Sequence, residues 1–94
     1  NVYLDPEQRR AALVLSRSLD RAVEAVRAGE RDVARIRQMV EDLIRAEPLA
    51  RIDYVEIYSY PGLEPVERLQ GQALLALAVK FGQTRLIDNV ILEG

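Results

Sequence analysis

Hydrophobic positions repeat every three to four residues through the first half of this chain and every second residue through much of the remainder. In the first half Ala12, Leu15, Leu19, Ala22, Val23 and Val26 recur at helical spacing and form one apolar stripe. Arg10, Arg17, Arg21 and Glu24 fall on the opposite side. Asp5 can cap this helix, Pro6 suits its first position, and Gln8 stands where a capping-box partner belongs. Gly29 is a natural stop, with Arg27 placed against the negative end of the helix. Leu13 and Val14 lie off the stripe and point to a second contact surface.

A second helix follows almost at once. Asp32 is its best cap, Val33, Ile36, Val40, Leu43 and Ile44 are its stripe, and Pro48 predicts an end near Ala46. The period then changes. In Ile52–Ser59 the apolar Val55 and Ile57 alternate with Tyr54, Glu56 and Tyr58, so the apolar pair should face the helices and the tyrosines the other side. Tyr60-Pro61-Gly62 and Pro65 predict an irregular connection over Leu63–Gly71, with a brief extended piece at Val66–Leu69. Ala73–Phe81 and Thr84–Leu92 flank Gly82-Gln83, a pair suited to a type II′ hairpin turn. The Leu and Ala content of Ala73–Val79 also permits a helix, but Leu86-Ile87 needs a strand to pair with. The sum is a two-layer α+β domain spanning 1–94, a helical hairpin packed on a three-stranded antiparallel sheet.

Composition narrows this picture without naming a function. At 94 residues the chain is one domain, and 49% hydrophobic with 30% charged residues suits a packed globule. A formal charge of −2, with acids interspersed among the arginines, gives no basic field for nucleic acid or an anionic membrane. Having neither Cys nor His, the chain has no disulfide, thiol nucleophile or Cys/His zinc site, and lacks the commonest proton-transfer side chain. No apolar run nears the ~18 residues of a membrane span, and no signal peptide is visible, so the chain reads as soluble and cytoplasmic. It begins at Asn1 rather than Met, as a piece of a longer protein would.

Candidate chemistry is sparse. Gly62, Gly71 and Gly82 are isolated turn residues rather than a phosphate loop. Asp53 with Glu56, or Glu64 with Glu67, could be offered as an acid pair or a Mg²⁺ site, although carboxylates beside a turn are the commoner explanation. Gly29-Glu30-Arg31-Asp32 carries two acids where a backbone-clamping RNA loop would need none, and Tyr54, Tyr58 and Tyr60 lack accompanying cations. Arg85, Asp88 and Asn89 interrupt an otherwise apolar strand. Arg85 and Asp88 are three apart and so point to opposite faces, better suited to an edge, a turn or an adjoining loop than to one ligand site.

Three stretches in order resemble the carboxyl-terminal domain of the pantoate–β-alanine ligases. They are Asn1-x-Tyr3-Leu4-x-Pro6-Glu7-x-Arg9, Asp53-Tyr54-Val55-Glu56 and Arg85-Leu86-Ile87-Asp88-Asn89, with Leu63-Glu64-Pro65-Val66 and the Gly82 hairpin between the last two. The resemblance implies an ATP- and Mg²⁺-dependent condensation of pantoate with β-alanine through pantoyl adenylate. It implies further a nucleotide-binding amino-terminal domain that this sequence lacks, a homodimer for the longer enzyme, and an inactive, monomeric fragment. In the family a Ser-Ser-Arg-Asn loop at the domain junction contacts phosphate. Asn1 matches its final residue and is the one ATP-binding position carried over, as the edge of that loop. The rest of the chain is then expected to be a lid, with Leu13, Val14 and the tyrosine face as candidate surfaces toward the larger domain. Arg85, Asp88 and Asn89 would hold the lid's shape or its seam.

Overall fold

The structure, a computed structural model, describes residues 5–94. Two helices, α1 (Pro6–Arg27) and α2 (Val33–Arg45), precede three strands, β1 (Ala50–Ser59), β2 (Gln72–Phe81) and β3 (Thr84–Glu93). The strands form an antiparallel sheet in the order β1-β2-β3, with both helices on one face. This is the expected two-layer α+β arrangement. The segment open to a helical reading, Ala73–Val79, is the central strand.

The helix ends follow from local hydrogen bonding. Asp5 accepts from the Gln8 N–H at 2.7 Å and the Gln8 side chain accepts from the Asp5 N–H at 3.2 Å, a complete capping box. At the other end Gly29 takes φ +111°, its N–H reaches the Val26 carbonyl at 3.0 Å, and the Glu30 N–H reaches that of Ala25 at 2.9 Å. These two bonds make a Schellman motif, which satisfies carbonyls the helix leaves open. The Arg31 guanidinium also donates to the Val26 carbonyl, at 2.7 Å. Asp32 then caps α2 through the N–H groups of Ala34 and Arg35.

The core lies between the layers. Leu15, Leu19, Ala22 and Val26 of α1 meet Ile36, Val40 and Ile44 of α2 over Val55, Ile57, Leu75, Leu77, Val79 and Phe81. The stripe of α1 is turned from the predicted one: Ala11, Ser18 and Ala25 are buried, while Ala12 and Val23 sit half-buried at its margin. Ser18 remains satisfied in apolar surroundings because its hydroxyl donates to the Leu15 carbonyl at 2.8 Å.

β1 starts two residues earlier than predicted, and its register slips between Ile52 and Tyr54. Asp53 is the extra residue of a β-bulge. Simple alternation would put Ile52 on the same side as Tyr54. The bulge instead sets Ile52 opposite Val79, on the helix-facing side with Val55 and Ile57. The Gly82 turn has φ +66° at Gly82 and no positive φ at Gln83, the combination of type II′ rather than I′. A Cβ at Gly82 would also collide with the Gln8 amide, so the start of α1 lies against the β2–β3 turn. The connection from β1 to β2 is tied to the helix linker: the Leu69 N–H donates to the Arg31 carbonyl at 2.8 Å and the Val33 N–H to that of Glu67 at 3.1 Å. Leu69 is buried there, at the end of the stretch expected to be briefly extended.

Candidate functional site

One face of the sheet carries no helix. Its residues come in rows across the three strands: Arg51–Lys80–Arg85, Tyr54–Ala78–Ile87, Glu56–Ala76–Asn89 and Tyr58–Leu74–Ile91. The first row sets three cations side by side, an arrangement that repels unless an anion intervenes. The bulge supplies one. Asp53 is carried toward β3, where its carboxylate accepts from Arg85 Nε at 2.8 Å, and the guanidinium lies 5.8 Å from the centre of the Tyr54 ring. Both partners of this pair are about half exposed, so it fixes a geometry more than it stabilises the fold.

The remaining rows are largely apolar and open. Tyr54, Tyr58, Leu74 and Ile91 are half-buried, and Ile87 is 61% exposed. Tyr58 shares this face with Glu56, whose carboxylate accepts from its hydroxyl and pushes the phenol above its ordinary value of 10.0; desolvation adds to the shift. Asp88 faces the helical side, as its three-residue offset from Arg85 predicts. Its Oδ1 accepts from the Asn89 N–H at 2.8 Å. Arg85, Asp88 and Asn89 therefore do not converge on one point.

The face ends in a knuckle. Ser59 accepts from the Leu63 N–H through its carbonyl at 2.8 Å, accepts from the Glu64 N–H through its hydroxyl at 3.0 Å, and donates its own N–H to the Glu64 carbonyl at 2.8 Å. So held, Tyr60 is 43% and Leu63 53% exposed. Leu63 has φ +57° and is the only non-glycine residue with positive φ among those described. That conformation costs an L-residue about 1–2 kcal/mol, and here the neighbouring Gly62 does not absorb it. Nothing in the alternation of the sequence points to Leu63. Its legible signals are an apolar residue inside a Pro- and Gly-rich turn and its place in the stretch Leu63-Glu64-Pro65-Val66.

Leu13 and Val14 lie elsewhere. With Leu43 and Ala46 they line an open cleft of about 240 Å³ on the outer side of the helical layer. The tyrosine face and the Leu13 surface are thus on opposite sides of the domain, and one rigid contact cannot use both. Two larger clefts, about 470 and 510 Å³, run along the outer edge of β1 and share Arg37 and Glu56. Their walls alternate charges of both signs, including Asp32, Glu41, Arg45 and Arg68. The acids offered above for Mg²⁺ do not gather: Asp53 is committed to Arg85, and no cluster of three potential ligands occurs among the described residues. Asn1 lies outside the described residues. No helix among them is long and apolar enough to cross a membrane.

These features define a class of protein, a small α+β domain with one well-filled core, one uncovered sheet face and, among the described residues, no gathered set of reactive groups. Its sequence places it further. The family model of the pantoate-beta-alanine ligases matches residues 1–91, and the chain belongs to that family. It is 77% identical over 92 residues to the pantothenate synthetase of Pelotomaculum thermopropionicum, covering 98% of this chain and 33% of that protein. The pantothenate synthetase of Heliobacterium modesticaldum is 58% identical over 93 residues, again across 33% of its length. The crystal structure of pantothenate synthetase from Thermus thermophilus superposes with a TM-score of 0.84 at 36% identity, over 94% of this chain and 32% of that one. The chain therefore spans about one-third of the length of the relatives it matches, and it corresponds to their C-terminal domain.

Proposed function

We propose that this domain is the lid of an ATP- and Mg²⁺-dependent ligase that condenses pantoate with β-alanine to give pantothenate. In that reaction a pantoate carboxylate oxygen attacks the α-phosphorus of ATP and the bond to pyrophosphate breaks. The β-alanine nitrogen then attacks the acyl carbon of the pantoyl adenylate, loses a proton, and AMP departs. The intermediate is a mixed anhydride that water would destroy, so a closing lid contributes by excluding water. The residues described here do not fit ATP or Mg²⁺: they offer neither a phosphate loop nor a carboxylate cluster. Both would be held by the larger domain of the cytoplasmic enzyme, with Asn1 at most at the fringe of the nucleotide loop. The chain by itself would be inactive and monomeric, and any homodimer would form through the larger domain.

The observation that carries this reading is the uncovered sheet face on a chain one-third the length of its relatives. Three strands of ten residues give a footprint on the order of 500 Å². A free-standing dimer needs about 800 Å² per partner, whereas a tethered domain docks at a high effective concentration and manages with less. Size therefore favours a covalently attached partner over a self-sufficient interaction module, the competing use of the same face. The experiment is a chimera in which these 94 residues replace the matching third of the Pelotomaculum thermopropionicum enzyme. It should form pantothenate from pantoate, β-alanine and ATP. The chain alone should show no heat of ATP binding and should elute as a monomer. Stoichiometric ATP binding or a tight symmetric dimer would count against the lid.

A further inference from the structure

Resting on that reading, we propose that Tyr60, Pro61 and Leu63 form the latch of the lid, an apolar tip that seats against an apolar socket on the amino-terminal two-thirds of the longer enzyme when the lid is closed. Three observations support it. Of the four large hydrophobic side chains exposed on the described surface, two, Tyr60 and Leu63, stand within this four-residue turn. The turn is not loose: Ser59 holds it with three hydrogen bonds, and the Tyr60 N–H donates to the Gln72 carbonyl at 3.0 Å. Leu63 keeps a left-handed backbone without burying its side chain, so its own domain gains nothing visible from the strain.

Position decides the occupant. The described chain begins at Asp5, and Gln8 lies against Gly82, so the amino-terminal end of α1 sits at the β2–β3 turn. Ala50 pairs with Phe81 at that end, and Ser59 lies nine residues further along β1, about 30 Å away. The knuckle is therefore remote from the attachment point, along a molecule 40 Å in its longest dimension. A hinge at the junction moves this tip furthest, and a contact made there discriminates best between open and closed lids. The open-face tyrosines lead directly to it, with Tyr60 continuing the alternation of Tyr54, Glu56 and Tyr58 along the strand.

The test uses the chimera, with pantothenate formation and pyrophosphate release measured together. Glycine takes φ +57° freely, so Leu63→Gly should leave the melting midpoint of the 94-residue chain unchanged or raise it by a few degrees. In the chimera the same substitution should lower kcat/KM for pantothenate about tenfold, the loss of one apolar anchor. Pyrophosphate should also be released in excess over pantothenate as unprotected adenylate hydrolyses. Leu63→Met, which keeps the apolar side chain, should retain coupling close to that of the unsubstituted chimera. One-to-one stoichiometry and unaltered kcat/KM in Leu63→Gly would overturn the latch while leaving the ligase reading intact. A lowered melting midpoint of the chain alone would assign Leu63 to the domain's own packing and would also overturn it. An unsubstituted chimera that makes no pantothenate would overturn both.

Discussion

The two faces of the sheet are built from the same thirty strand residues in alternation, yet they have been put to opposite uses. On the covered face Leu75, Leu77, Val79 and Phe81 are fully enclosed by the two helices. On the other, Tyr54, Leu74 and Ile91 are only half-buried, and Ile87 stands clear of the surface. The domain concentrates its burial on one side and leaves the second open. The single residue that keeps the sides distinct on β1 is Asp53, because the bulge it creates returns Ile52 to the core.

One truncation on each face separates the two most decisively. Leu77→Ala should destabilise the chain by about 3 kcal/mol in urea unfolding, from lost transfer energy and the cavity left behind. Ile87→Ala, on the neighbouring strand but facing out, should cost no more than about 0.5 kcal/mol. Equal losses would mean that the open face contributes to the fold as the core does. Next in size is Gly82→Ala. It forces a Cβ into a left-handed turn and displaces the Gln8 amide from its capping box, for a loss of about 1–2 kcal/mol. Smaller again is Asp53→Ala, which removes the anion from the cation row. The cost should be within about 1 kcal/mol, and it should shrink in high salt because the pair is half exposed.

The smallest effect is that of pH on Tyr58. Its hydrogen bond to Glu56 favours the protonated phenol in the folded state and raises the folded value above that of the unfolded chain. This contribution is fully present below the ordinary value of 10.0 and is lost as pH rises through the raised one. The stability difference between the native chain and Tyr58→Phe should accordingly narrow in alkaline solution. A difference independent of pH would show that the two side chains do not interact.

Much of this fold is legible in the sequence because its signals are local. Asp5, Pro6 and Gln8, then Gly29, Asp32, Pro48 and Gly82, act through hydrogen bonds and backbone limits spanning four or five residues. The bulge at Asp53 is different in kind, since it is a relation between β1 and β2 and no window on β1 contains it. The turned stripe of α1 has a similar origin. Ala11, Ser18 and Ala25 are buried because small residues admit close approach, which a search for large apolar side chains passes over. The uncovered face is visible in the sequence only as its tyrosines, while Arg85 draws attention for its charge and proves to be answered within the domain by Asp53. Leu63 stands in one of the family's motifs, but its strained backbone has no counterpart in composition or period.

The bond from the Asn89 N–H to the Asp88 carboxylate bears on how the sheet ends. β3 is a border of the sheet, and each unused amide on a border is an invitation to a strand from another molecule. Asp88 answers that invitation from within the same strand. An amide answered in this way leaves the border one donor fewer to offer an incoming strand.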